Sequence, residues 1–186
     1  MHPGVIEPLS INVGPNVKCL HAAVSDVFRR NVRIWISGFN IYEEPEGGWE
    51  SLEKMPGAMK SRGEANRGRG FAEVDFITLD KFCEDMDLLP DLIKIDVEGY
   101  QAKAVIGVME TVWRHRPVIV IELHDPEKLQ RFGTTNMRTV APLFEAGYRG
   151  YWCGEHRSAA ARFTPLRAIG DMDEAHEKLS LMVMIP

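Results

Sequence analysis

Between Phe71 and Leu123 the hydrophobic pattern switches repeatedly between the two-residue period of a strand and the longer period of a helix, and no other feature limits the accessible folds as much. "FAEVDFI" reads as a strand. Thr78 then caps a helix in which Leu79, Phe82, Cys83 and Met86 fall at i, i+3, i+4 and i+7, and Pro90 stops it. "PDLIKIDVEGYQ", residues 90–101, runs from a strand into a second helix, where Ala102, Val105, Ile106, Met109, Val112 and Trp113 form one apolar stripe over residues 100–115. Beyond Pro117, "VIVIEL" at residues 118–123 is apolar and β-branched except for Glu122, which suits a central strand covered on both faces. Strand, helix, strand, helix, strand with short connections predicts parallel βαβ units with right-handed crossovers, an α/β fold.

The flanks are weaker. "VKCLHAAV" (17–24) and "VRIWIS" (32–37) read as strands, and "YRGYWC" and "LSLMVMIP" as the last two. A helix is predicted from about Met137 to Ala146, with Pro142 tolerated only near its first turn and Gly147 ending it. Residues 38–70, rich in Gly, Pro and charge, are expected to form one long loop, which either folds over a substrate with Trp49 as an apolar platform or stays disordered, and Arg62, Arg67 and Arg69 read as a solvated basic run more readily than as a phosphate contact. At 186 residues and 21.0 kDa, the expectation is a single domain spanning 1–186.

A formal charge of −5 gives no basic surface for nucleic acid. No apolar run nears the roughly 20 residues that cross a bilayer, and "MHPGVIEPLS" lacks the regions of a signal peptide, so no membrane partner and a cytoplasmic location are expected. Cys19, Cys83 and Cys153 are odd in number and far apart, which predicts core thiols, neither disulfides nor a zinc site.

In parallel sheets, ligands sit outside the C-terminal strand ends. Asp96 and Glu98 lie where one strand runs out, and Glu122, His124 and Asp125 where the next does, so these carboxylates are expected at a mouth.

Residues 74–124, with "TLD", "DLIKIDVEGYQ", the helix around Gly107 and "RPVIVIELH" in that order, resemble the C-terminal half of FkbM-type methyltransferases. "NVKCLHAAVSD" resembles that family's third strand, and "LFEAGY" and "LMVMIP" its later elements. The resemblance implies a Rossmann-like class I methyltransferase fold, a mostly parallel sheet with one antiparallel edge strand. It also implies S-adenosylmethionine as cofactor and a hydroxyl of a sugar or other small molecule as substrate. The family's glycine-rich D-x-G-x-x-x-G type loop and its second acidic strand are not found, and 16 residues before Val17 are too few for two βα units. The expectation is a domain lacking those first two units, either an active O-methyltransferase or a non-catalytic binding module. Its exposed sheet edge would be covered by the loop, by a re-paired strand or by a second copy of the chain.

On this resemblance, Asp96, Glu122 and His124 are the candidate catalytic residues, and Asp96, Glu98, Ser25 and Asp26 the candidates for cofactor binding. Each also has a structural alternative. Asp96 and Glu98 can cap the following helix. Glu122 can pair with Lys94 on the neighbouring strand, because an unpaired carboxylate there is expensive to bury. His124 is either a base for the hydroxyl proton or a surface histidine. Asp96, Glu122, His124 and Asp125 are chemically acceptable metal ligands, but their spacing matches no metal motif and no metal is expected.

Overall fold

The computed structural model describes residues 3–37, 40–43, 69–154, 156–157, 166–169 and 180–186. The chain divides into two compact units, Met1–Ala23 with Phe28–Phe76, and Val24–Val27 with Ile77–Pro186. Among the described residues no helix is long and apolar enough to cross a membrane.

The chain opens with α1 (Pro3–Asn12), β1 (Ala22–Val24), β2 (Arg29–Ser37), β3 (Asn40–Glu43) and β4 (Arg69–Ile77). These strands form a four-stranded sheet in the order β1-β4-β2-β3, and β2 is antiparallel to β3 and to β4. Alternation along β2 and β4 buries Ile34, Val74 and Phe76. The register shifts between Arg29 and Val32, where Asn31 takes φ 52° and its N–H donates to Asp75 Oδ1 at 2.9 Å. Two expectations are corrected here. Of the strand expected over 17–24, only Ala22–Val24 joins a ladder, and it takes β4 as its neighbour. The loop expected over 38–70 is strand at both borders: the β-prone Ile41 and Tyr42 stand opposite Ile36 and Trp35, and Arg69–Gly70 open β4. Trp49, Arg62 and Arg67 lie outside the described residues.

The rest of the chain contributes α2 (Leu79–Asp85), β5 (Leu92–Ile95), α3 (Gln101–Ile106), α4 (Met109–His115) and β6 (Val118–Leu123). Then follow α5 (Pro126–Gln130), α6 (Asn136–Glu145), β7 (Arg149–Gly154), β8 (Arg167–Ile169) and β9 (Ser180–Ile185). The sheet order is β5-β6-β9-β7-β8. β5 and β6 are parallel, whereas β9 is antiparallel to β6 and β7, and β8 to β7. Thus β5, β6 and β7 point one way and β8 and β9 the other. The expectation of one reversed strand at the edge is corrected: β9 lies inside, because alternate residues such as Met182 and Met184 are fully buried between β6 and β7. With Ile119, Ile121 and Leu123 of β6 they fill the core, each worth about 1.5–3 kcal/mol of burial.

The helices carry three further corrections. The stripe over 100–115 is two helices, not one, broken at Gly107 and Val108. A Cβ on Gly107 would lie 2.0 Å from the Ser25 carbonyl oxygen, and the Gly107 carbonyl accepts the Asp80 N–H at 2.9 Å. The restart shifts the helical phase, so Val108 and Val112 face the core while Trp113, expected there, is 57% exposed. Pro142 stands past the middle of α6, not in its first turn. Gly147 ends that helix as expected, with φ 83° and the Tyr148 N–H closing back on the Leu143 carbonyl at 3.0 Å. Cys83 and Cys153 are buried thiols, and Cys19 is partly exposed.

Candidate functional site

The parallel register sets Ile95 opposite Ile121, so Asp96, just past β5, and Glu122, the penultimate residue of β6, come to one rim. Gln101, the first residue of α3, fastens that rim: its Nε2 donates to the Glu122 carbonyl at 2.8 Å. Lys94 and Asp96 lie two apart in sequence and share a face of the strand, and Lys94 Nζ donates to Asp96 Oδ2 at 2.9 Å. The Lys94–Glu122 pair allowed by the sequence is therefore replaced by an intrastrand pair.

Glu122 finds other partners. Its side chain is only 4% exposed, and Oε1 is reached by Arg157 Nη2 at 2.7 Å, Arg157 Nε at 3.2 Å and His156 Nε2 at 2.9 Å. Its Oε2 is buried without a hydrogen-bond partner and lies 3.6 Å from His124 Nε2, beyond hydrogen-bond reach. His124 is not a surface histidine. Its side chain is 3% exposed, and the Asn136 amide holds its backbone from both sides, accepting from the His124 N–H at 3.4 Å and donating to its carbonyl at 2.9 Å. Burial pushes the imidazole below its ordinary range, helped by the nearby Lys128 charge and opposed by Glu122, Glu98 and Asp96. Burial pushes the Asp96 carboxyl up, but contacts with Lys94 and Glu122 outweigh it and hold it below the usual value. One ligand atom each from Asp96, Glu122 and His124 lie within 4.8 Å of one another. Asp125 is outside this group and instead starts α5, its carbonyl accepting the Lys128 and Leu129 N–H groups at 3.1 and 3.3 Å.

The remaining candidates are placed differently. Glu98, at φ 55°, is ion-paired to Lys128. Gly99 follows at φ 106°, and the space above it is filled, since an added Cβ would meet the Phe132 ring at 2.7 Å. Ser25 and Asp26 sit at the far end of α3, beside Gly107 and roughly 9 Å along the axis from Gln101. There Ser25 Oγ donates to Asp26 Oδ1 at 2.9 Å. Asp26 also borders a hollow of about 570 Å³ with Thr78, Asp80 and Thr111. The Asp80 carboxylate in that hollow accepts the Glu110 and Thr111 N–H groups at 3.1 and 2.7 Å. The structure thus brings Asp96, Glu122 and His124 together and leaves Ser25 and Asp26 apart from them.

Sequence reasoning missed Gln101, Asn136, His156, Arg157 and Ser180. Gln101 follows the strand-end motif directly and Asn136 follows the helix cap Thr135, so position alone offered a signal for both. Nothing local distinguishes His156 or Arg157. Buried polar atoms without hydrogen-bond partners among the described residues gather near Glu122: Gln101 Oε1, Glu122 Oε2, His124 Nε2, His156 Nδ1 and Ser180 Oγ. Ser180 stands opposite Leu123 in the β6–β9 register. Native interiors satisfy most such atoms, so a concentration of them is unusual.

Carboxylate and imidazole groups thus meet at the ends of adjacent parallel strands, the region where α/β proteins commonly place ligands. A family model described as Methyltransferase FkbM domain matches residues 5–149, and the chain belongs to that family of methyltransferases. No curated protein and no solved structure matches it.

Proposed function

We propose that the chain is an O-methyltransferase acting on a hydroxyl of a sugar or other small molecule, with S-adenosylmethionine as the methyl donor. The observation that carries this reading is the unpartnered His124 Nε2, buried 3.6 Å from Glu122 Oε2 at the rim shared with Asp96. An acceptor hydroxyl seated there can hydrogen-bond to Asp96, while His124 receives its proton. Glu122, held by Arg157 and His156, keeps the imidazole company as the counter-charge that stabilises its protonated form. Holding the acceptor oxygen in line for transfer supplies most of the rate advantage in such chemistry.

The cofactor side fits less well. A glycine cradle lets backbone approach a ligand closely, but Phe132 fills the space over Gly99 and the Ser25 carbonyl fills that over Gly107. The rim therefore supports the acceptor half of the reaction, whereas the glycines at the two ends of α3 offer the donor no open backbone. That observation favours a second reading, a methyltransferase-like module that binds without catalysing. Calorimetric titration of the 186-residue chain with S-adenosylmethionine separates the two. Micromolar binding is expected for the enzyme, and no detectable heat with folded protein overturns it in favour of the module.

A further inference from the structure

We propose that Asp96, Glu122 and His124 form a binding site for one divalent first-row metal ion. Two strand ends deliver these residues from separate parts of the sequence, and their ligand atoms fall within 4.8 Å of one another. Metal–oxygen and metal–nitrogen bonds of about 2.0–2.2 Å place ligand atoms roughly 3 to 4.4 Å apart around one ion. The 3.6 Å between Glu122 Oε2 and His124 Nε2 is within that span and is too long for a hydrogen bond.

A cluster of carboxylates alone proves nothing, since exposed ones usually stay solvated. Here the second observation is burial without satisfaction. Glu122 and His124 side chains are 4% and 3% exposed, and the atoms they turn toward each other, Oε2 and Nε2, have no hydrogen-bond partner among the described residues. Each would normally demand one. A cation satisfies both together.

The outer contacts agree with this use. Arg157 and His156 occupy Glu122 Oε1 and leave Oε2 open. Lys94 occupies Asp96 Oδ2. Asn136 fixes the His124 backbone from two sides. Such contacts orient ligands and are commonly worth 10–100-fold in metal affinity. Two carboxylates with one imidazole suit Mn²⁺, Fe²⁺ or Zn²⁺ better than an ion that prefers oxygen alone. The rival arrangement of the same groups is a proton shared between Asp96 and Glu122, which needs no metal.

An ion on His124 Nε2 takes the lone pair that the base proposed above would use, so the metal-bound and base-competent forms exclude each other, and the test uses metal alone. The 186-residue chain stripped with chelator is titrated with Mn²⁺ by electron paramagnetic resonance and with Zn²⁺ by calorimetry, without cofactor or acceptor. The expected result is one ion per chain, a rise in melting temperature on Zn²⁺ addition, and at least tenfold weaker binding in Asp96→Asn and in Glu122→Gln. Both variants keep side-chain shape, and circular dichroism confirms that they fold. Folded wild type that binds neither ion overturns the proposal and leaves the shared proton. Binding that both variants retain unchanged overturns it equally. Methyl transfer measured in excess chelator reports on the enzymatic function separately.

Discussion

Both ends of α3 gather polar groups, and they treat them differently. At its C-terminal end, Ser25, Asp26 and Gly107 meet with their polar groups engaged: hydroxyl to carboxylate, carboxylate near Lys103 at 3.9 Å, and carbonyl packed against the glycine. At its N-terminal end, Gln101, Glu122 and His124 are buried more deeply than Asp26, yet each retains an atom without a hydrogen-bond partner among the described residues. The lesson is that residue type does not identify a site. Serine, aspartate and glycine at a helix end serve packing when their hydrogen bonds close locally. A site is recognised by groups that the fold buries and then declines to satisfy.

Four substitutions test this contrast. The largest effect on stability belongs to the packed end. Gly107→Ala sets a Cβ against the Ser25 backbone, where no flexible side chain can yield, and is expected to cost about 3 kcal/mol, read from the midpoint of chemical denaturation. A variant as stable as wild type would mean that the close approach at this end is not obligatory. Next, at the unsatisfied end, His124→Ala is expected to lower methyl transfer about 100-fold while the denaturation midpoint moves far less than in Gly107→Ala. Equal losses of activity and stability would erase the distinction between the ends.

Gln101→Leu sits between these. It removes the hydrogen bond to the Glu122 carbonyl but also the orphaned Gln101 Oε1, so the net cost is expected near 1 kcal/mol by thermal unfolding. A loss several times larger would show that Gln101 holds the rim in place. The smallest effect is expected for Asp26→Ala, about 0.5 kcal/mol or less, because its ion pair with Lys103 is long and solvated. A larger loss in the same unfolding measurement would move Asp26 from bystander to structural anchor.

Legibility in the sequence followed the range of the interactions. The elements from β4 to β6 were readable because their signals are local: Thr78 does accept the Lys81 N–H, and apolar spacing marks α2 and β6. The expected parallel βαβ unit of β4 and β5 is not formed, since β4 joins the other sheet, antiparallel to β2. The parallel pairing of β5 and β6, and with it the meeting of Asp96 and Glu122, followed from short connections. The break at Gly107 was not readable, because its cause is a carbonyl more than eighty residues earlier in the chain. Nor was β9's interior position, since an apolar, alternating strand reads alike at an edge or in the middle. β8, three residues long, carries too little pattern to register. At the site, the strand-end carboxylates were legible. The Arg157 and His156 contacts that leave Glu122 half satisfied were not, because they arise from tertiary placement.

The insertion of β9 between β6 and β7 also carries a consequence for how the chain reaches this structure. Neither β6 nor β7 has its full ladder until Ser180–Ile185 have been synthesised, so a growing polypeptide must hold two open edges apart while the wedge is still unmade. Closure is then a late zippering of distant segments, the slow kind of contact. Until it happens, Leu123 lacks the neighbour across from it, and the rim it introduces has no fixed backing.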